Sequence, residues 1–421
     1  MARGHRRSAR RGRKVSRWTP TRPLGFGEFV ALMALLISTV AFSIDAMLPA
    51  LPTIGQELSP DSPARGQLVI TAFVLGLGLG TLVWGPVSDA FGRKSVLLVG
   101  IALYLAGAVL AIYSWSIETL LAARLLQGFG GAAPRVVATA MVRDLYEGRS
   151  MARVTSIIMT LFVLVPALAP SVGAGIIWLS HWRMIFLAFV VFGVTAALWL
   201  MLRQPESLPP EKRRPLRPRA LWASIVEIVS NPAVMVYVVA LAFAFAPLFA
   251  WLSNLPMIFD DVYDRASTFP FWFAATALVA GTASIVNARM VMRLGMKKIA
   301  TSAFAWQASV SLLFLWLLQL NLPEPWDFGL FFVFMCSAFF SIGLTFGNLN
   351  ALALLPLGHM AGIGSSVVMA LSTMGSVMIA LPISLAYDGT PLPLITGMLI
   401  CASVALLLML LARRVAQDET A

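Results

Sequence analysis

Residues 67–94 read QLVITAFVLGLGLGTLVWGPVSDAFGRK. From Gln67 to Val87 there is no charged residue; then Asp89, Arg93 and Lys94 arrive together around Gly92. A helix needs about 20 apolar residues to cross a bilayer core, and it satisfies its own backbone hydrogen bonds there. The stretch therefore reads as a membrane span closed by a short polar turn. Gly92 suits the point where the chain reverses. Gly85, and the four-residue step from Gly76 to Gly80, suit close approach of a neighbouring helix.

The same pattern recurs along the chain. Spans are expected near 29–50, 67–87, 95–114, 118–140, 152–178, 184–202, 233–256, 269–290, 299–320, 328–351, 361–386 and 391–412. Of the 421 residues 59% are hydrophobic, roughly 248 residues against the roughly 240 that twelve spans of about 20 would use. Only 12% are charged, half of the roughly 25% of soluble domains. A soluble enzyme, a nucleic-acid binder and a disordered chain are all excluded on that ground. The expected fold class is an all-α polytopic membrane protein. The run from Phe29 to Leu48 is long for a secretory h-region and lacks a small-residue cleavage site, so it is expected to stay as the first span.

The net charge of +12 is concentrated. Residues 1–22 hold nine Lys/Arg and no acid, and 203–219 hold six against Glu206 and Glu211, so the rest of the chain is nearly neutral. Arg93/Lys94, Arg143/Arg149/Arg153, Arg293/Lys297/Lys298 and Arg413/Arg414 fall on the same side as these segments. The opposite loops hold only Arg65, Arg183 and Arg265, with Glu57, Asp61, Glu118, Asp260, Asp261, Asp264 and Glu324. Cytoplasmic loops are enriched in Lys/Arg, so an even number of spans with both termini inside is expected. The basic tail is read as a topology and lipid-surface signal; it has only Trp18 to stack on bases, so no nucleic-acid partner is expected.

Five segments follow: a basic tail 1–26, a six-span half 27–202, a Pro- and Arg-rich linker 203–232 with a short surface helix near 221–229, a second half 233–412, and a tail 413–421. A faint repeat crosses the linker. Phe91-Gly92-Arg93-Lys94 is echoed by Leu294-Gly295-Met296-Lys297-Lys298, and Met47-Leu48-Pro49 by Asn254-Leu255-Pro256. Two six-helix halves are a known transporter plan. Cys336 and Cys401 lie far apart in apolar runs and read as buried free thiols. Three histidines without ligand spacing imply no metal, and no nucleotide loop or nucleophile–base pair implies an enzyme or a cofactor.

Four segments carry a resemblance. Gly85-Pro86-Val87-Ser88-Asp89-Ala90-Phe91-Gly92-Arg93-Lys94 resembles the loop 2–3 signature of the major facilitator superfamily. Leu121-Ala122-Ala123-Arg124-Leu125-Leu126-Gln127-Gly128 resembles its fourth-helix signature, and Pro166-Ala167-Leu168-Ala169-Pro170-Ser171-Val172-Gly173-Ala174 the fifth-helix signature of its antiporter branch. Ser43-Ile44-Asp45-Ala46-Met47-Leu48-Pro49-Ala50-Leu51-Pro52 is similar to the first helix of bicyclomycin- and chloramphenicol-resistance-type efflux proteins. The resemblance implies a drug:proton antiporter that works by alternating access. It implies that Gly85, Asp89, Gly92, Arg93 and Lys94 form a cytoplasmic latch between helices two and eleven. Ala90 stands where the family usually has arginine.

Charges inside spans are costly, about 2.5–3.5 kcal/mol each at a helix centre, and mark pathways or partners. Asp45 and Arg124 fall at comparable depth, so a pair is expected. One reading has Asp45 exchange a proton, with Arg124 favouring the carboxylate while burial opposes it; the other has a static pair holding the helices in register. Arg135, about 16 Å further along the same helix, either binds an anionic group or snorkels to the interface; Gly128 and Gly131 lie near that face. No second acid precedes Asp45, where Ile37, Ser38 and Ala41 stand, so a two-acid scheme is not supported. Pro166 and Pro170 are expected to bend span five, with Ala167, Ser171 and Gly175 giving tight contact and Gly173 completing its signature. The second half offers Asn254 with Arg135 and Gly131 as cavity residues, among many aromatics suited to greasy ligands. The partners implied are a small-molecule substrate, protons and the bilayer, for a monomer. The competing readings are a transporter of one physiological solute, and a membrane sensor of transporter ancestry.

Overall fold

The computed structural model describes residues 23–216, 218–320 and 323–418. The tail 1–22, Arg217 in the linker and the last three residues lie outside the described residues, as do the side chains of Arg413 and Arg414. Fourteen helices are found among the described residues, and no strand. The first half holds α1 (Phe26–Asp45), α2 (Leu51–Leu58), α3 (Leu68–Phe91), α4 (Arg93–Ile112), α5 (Ile117–Leu145), α6 (Gly148–Leu179) and α7 (Arg183–Arg203). After α8 (Pro218–Ser230) in the linker come α9 (Pro232–Met257), α10 (Phe269–Leu294), α11 (Met296–Leu317), α12 (Trp326–Leu354), α13 (Ala361–Leu385) and α14 (Leu392–Asp418). Short α2 continues the first span beyond a 3-10 turn at Leu48–Ala50, and a π-helical turn at Ile258–Val262 continues α9.

Eleven helical stretches among the described residues are long and apolar enough to cross a membrane. The twelfth long helix, α5, is diluted by Arg124 and Arg135 but is 29 residues long. It is packed between α3 and α4. Gly76 and Gly80 of α3 lie directly on the α5 backbone at Leu125 and Phe129, and Gly128 of α5 lies on the Phe73 carbonyl. On its other side Gly100 and Gly107 of α4 abut Ala133 and Gln127. Backbones this close leave no room for a Cβ, so α3, α5 and α4 form one slab in which the charges of α5 are shielded by neighbouring helices.

Large apolar side chains also ring the bundle: Leu110, Val191, Leu278, Trp306, Met378 and Ile400 are exposed. A soluble protein would not carry such a surface; acyl chains cover it here, and the protein is a multi-pass membrane protein. Twelve crossings put the linker, the start of α1 and the end of α14 at one end of the bundle, called the linker end below. At the opposite, distal end all three loop arginines find acids: Arg65 with Glu118 at 2.7 Å, Arg183 with Glu57 at 2.6 Å and Arg265 with Glu324 at 3.3 Å. The halves meet where α3 packs on α13 and α6 on α10. Gly78 faces Met374 and Gly85 faces Ser366.

Candidate functional site

Asp45 is the last residue of α1. The helix stops there because Pro49 has no N–H to continue it, and the chain turns through Ala46 and Met47 into the 3-10 segment. Its side chain is enclosed, at 5% exposure. Against the next residue sits α6: a Cβ on Gly173 would strike the Ala46 carbonyl. The first-helix acid and the fifth-helix signature thus meet at one point. Pro170 and Ala169 share that buried face, Pro166 is half-buried, and the 32-residue helix runs unbroken through both prolines. Ser171 is exposed, and open space surrounds Gly175. Of the expected stripe of Ala167, Ser171 and Gly175 only Ala167 is buried; the phase of α6 turns Ala169, Pro170 and Gly173 inward beside it.

Arg124 is fully buried. Its guanidinium does not pair with Asp45, as the sequence suggested. Nη2 donates to the Ser43 carbonyl at 3.0 Å, Nε to the Val69 carbonyl at 3.3 Å, and Nη1 to Gln127 Oε1 at 2.7 Å. The Phe73 ring lies 4.3 Å from its central carbon. Carbonyl dipoles and a π-face replace a counter-ion; hydrogen bonds to a charged group are worth about 1.5–3 kcal/mol each, and a desolvated cation–π contact about 2 kcal/mol. The Ser43 hydroxyl shares a 2.7 Å hydrogen bond with buried Tyr104. Arg124, Ser43 and Tyr104 thus tie α5, α1 and α4 together two residues before Asp45, while the Asp45 carboxyl forms no hydrogen bond or ion pair among the described residues.

Arg135 is half-buried further along α5, with no ion-pair partner among the described residues. Gly131 is not a cavity residue: the Phe73 and Tyr104 rings lie 3.5–3.6 Å from where its Cβ would be. Asn254 is buried in α9 near the distal end, where it accepts from Gln67 Nε2 at 3.2 Å.

The turn between α3 and α4 is bound mainly by the linker. Gly92 adopts φ +100° and ψ 150°, a region essentially reserved for glycine. Arg93 pairs with Asp89 one turn back and with Asp144 of α5 at 2.9 Å, and donates to Ser88. Glu206 accepts the backbone N–H groups of Arg93 (2.9 Å) and Lys94 (3.1 Å), capping α4 where its dipole favours an anion. Lys94 Nζ in turn donates to the Met201 and Gln204 carbonyls, both at 2.8 Å, capping the end of α7. Arg214 N–H donates to the Asp89 carbonyl at 3.1 Å. Beside this knot a cleft of about 540 Å³ opens at the linker end, between Asp89, Arg143, Lys212 and Gly362 at the start of α13. Gly85 supplies the contact with span eleven, through Ser366.

Sequence reasoning missed Ser43, Tyr104, Gln67, Asp144 and Glu206. Ser43 stood inside a quoted motif, and a glutamate in a basic linker was a visible exception. Tyr104 and Gln67 carried no signal beyond being polar at the edge of, or within, an apolar run.

Two six-helix sets, buried charges in the first and a signature turn at the linker end define a membrane transporter, not an enzyme. The profile of the Major Facilitator Superfamily matches residues 33–381. The chain is 30% identical over 384 residues to the bicyclomycin resistance protein homolog of Haemophilus influenzae, covering 90% of this chain and 94% of that protein. It is 26% identical over 386 residues to the multidrug resistance protein MdtL of Escherichia coli, covering 91% and 95%. This chain belongs to the Major Facilitator Superfamily. A solved D-xylose-proton symporter shares the fold at a TM-score of 0.72 and 13% identity, over 91% of this chain and 97% of that one. Membership implies a small-molecule substrate carried across the bilayer.

Proposed function

We propose that the protein exports small, largely apolar organic compounds of the drug or toxic-metabolite class in exchange for protons. It works as a monomer in a bacterial inner membrane, with the linker end and both termini in the cytoplasm. The observation that carries this reading is Asp45: a carboxyl enclosed at the break of the first span, without a cation or donor, next to the helix contact made by Gly173. An isolated buried charge is expensive, so a carboxyl placed there is suited to taking up and releasing a proton as its surroundings change. A shift of α6 against Ala46 changes those surroundings directly. Arg124, held by carbonyls instead of by Asp45, keeps the α1 backbone in place while the carboxyl stays available. Relatives named for bicyclomycin and multidrug resistance support the substrate class, and the Lys/Arg distribution supports the orientation.

The test is Asp45→Asn in proteoliposomes. With a proton gradient imposed, substrate movement in the variant is expected to lose its dependence on the gradient, while counterflow of labelled substrate for unlabelled persists. Gradient-driven transport equal to the parent's would sink the proton-carrier role. Cells with and without the protein, challenged with a broad panel of toxic compounds, define the substrate. A second reading, carriage of one anionic solute, is favoured by Arg135, whose half-buried guanidinium has no ion-pair partner among the described residues. Competition by small organic anions that is abolished in Arg135→Gln would select it.

A further inference from the structure

At the distal end the two halves are joined by side-chain hydrogen bonds as well as by packing. Gln67 ends the 3-10 turn Pro63–Gln67 and is fully buried. Its Nε2 donates to Asn254 Oδ1 at 3.2 Å and to Met257 Sδ at 3.0 Å, both on α9. Asn254 in turn donates to the Ala250 carbonyl at 2.8 Å and to Ser384 Oγ of α13 at 3.4 Å. One amide of the first half thereby engages α9 directly and α13 through Asn254. We propose that Gln67, Asn254 and Ser384 form a gate that holds the distal end shut and parts when the transporter opens on that side.

Two features distinguish a gate from a filler. First, Gln67 is presented rigidly. Gly55 lies on the Pro63 carbonyl, and a Cβ on Gly66 would come within 2.6 Å of the Leu51 carbonyl, so the turn is clamped backbone to backbone on α2. The donor therefore moves with the first half as a body and does not follow Asn254 by side-chain adjustment. Second, the closed arrangement is incomplete: Gln67 Oε1 is buried without a hydrogen-bond partner among the described residues. Water supplies that partner once the halves part, so closure is held by some hydrogen bonds and opposed by a missing one. A bistable element needs such balance. A network with every group satisfied would be a lock.

The gate rests on the alternating-access reading but is measured without substrate or proton gradient. The full chain, with Cys336 and Cys401 replaced by alanine, is spin-labelled at Ser62→Cys and Ser267→Cys, two exposed positions on opposite halves at the distal end. In nanodiscs, pulsed electron paramagnetic resonance reports the distance distribution. Gln67→Met keeps the volume and removes the donor. The long-distance population is expected to rise about threefold to tenfold, the effect of losing one net hydrogen bond. Asn254→Leu is expected to do the same, and the double variant to do no more than the larger single one. Exchanging the two amides, Gln67→Asn with Asn254→Gln, is expected to restore the parent distribution. An unchanged distribution in a folded Gln67→Met protein overturns the gate; if that variant does not fold, an unchanged distribution in Asn254→Leu does. Asp45→Asn affects coupling alone, so failure of the proton role and failure of the gate are separate results.

Discussion

Two pairs of glycines, one of each pair in each half, show what the halves share and where they part. Gly92 and Gly295 stand 203 residues apart and have nearly the same backbone, φ +100° and ψ 150° against φ +77° and ψ 155°. Each N–H caps the helix behind it, to Ser88 and Val291, and each begins the next helix. Yet Gly92 is crowded by Arg213 and Glu206, each 2.7 Å from where its Cβ would be, while nothing approaches Gly295. Gly173 and Gly375, 202 residues apart in spans five and eleven, repeat the lesson. A Cβ on Gly173 would enter the Ala46 carbonyl; one on Gly375 would come 3.1 Å from the Ala242 methyl. The plan is duplicated, but at both pairs the tighter contact belongs to the first half and its linker. The second half fills its interior with rings instead, as where Trp251 packs among Phe331, Phe334 and Phe339.

The largest difference is expected at the span-five pair. Gly173→Ala forces a methyl into backbone that is itself packed, beyond the roughly 1–3 kcal/mol usual for overpacking. Little folded protein and a loss of transport are expected, read by monodisperse yield in detergent and by proteoliposome assay. Gly375→Ala meets only the Ala242 methyl, which a shift of a few tenths of an ångström between the helices relieves, and its apparent melting temperature is expected within a few degrees of the parent. Equal effects would break the comparison.

Next come the turns. Any L-residue at either position bears a backbone cost of about 1–3 kcal/mol, so Gly92→Ala and Gly295→Ala both lower the melting temperature. Only Gly92→Ala also pushes Glu206 away from the start of α4. Its excess loss should therefore shrink in a Glu206→Ala background, which a double-mutant cycle of melting temperatures measures. Glu206→Gln alone removes the charge at the helix start and one of the two acceptor oxygens, which serve Arg93 and Lys94 separately, and a loss of about 1–3 kcal/mol is expected.

These contrasts also mark what a sequence can reveal. Apolar runs located the spans because a bilayer imposes length and hydrophobicity on each of them. Asp45 and Arg124 stood out because charges are rare in such runs. That Arg124 binds the Ser43 and Val69 carbonyls instead of Asp45 was hidden, since a sequence does not say which way carbonyl groups point. The inward face of α6 was hidden for a related reason: a helix that is apolar all round has no preferred phase, so the four-residue stripe through Ser171 looked as good as the true one through Ala169 and Gly173. Glu206 was hidden because it meets backbone N–H groups of Arg93 and Lys94, more than a hundred residues earlier, and such acceptors leave no trace in side-chain pattern.

The smallest effect expected is at two lysines that follow the glycine turns, and it is the most discriminating. Lys94 and Lys298 both follow their turn and both count equally as topology signals. Lys94 Nζ holds two carbonyls at the end of α7, where a cation is worth about 0.3–1 kcal/mol; exposed Lys298 engages only through its backbone carbonyl among the described residues, which accepts from the Ser302 hydroxyl. Replacing either lysine by methionine removes one positive charge from the same side of the membrane. If these residues serve orientation alone, the two variants match in melting temperature and in transport. If Lys94 also fastens the linker, Lys94→Met melts a few degrees lower and the peptide bonds around Gln204 and Pro205 become open to limited proteolysis, while Lys298→Met behaves as the parent. Proteolysis separates the two because it reads whether the linker stays on the first half, which the topology role leaves untouched.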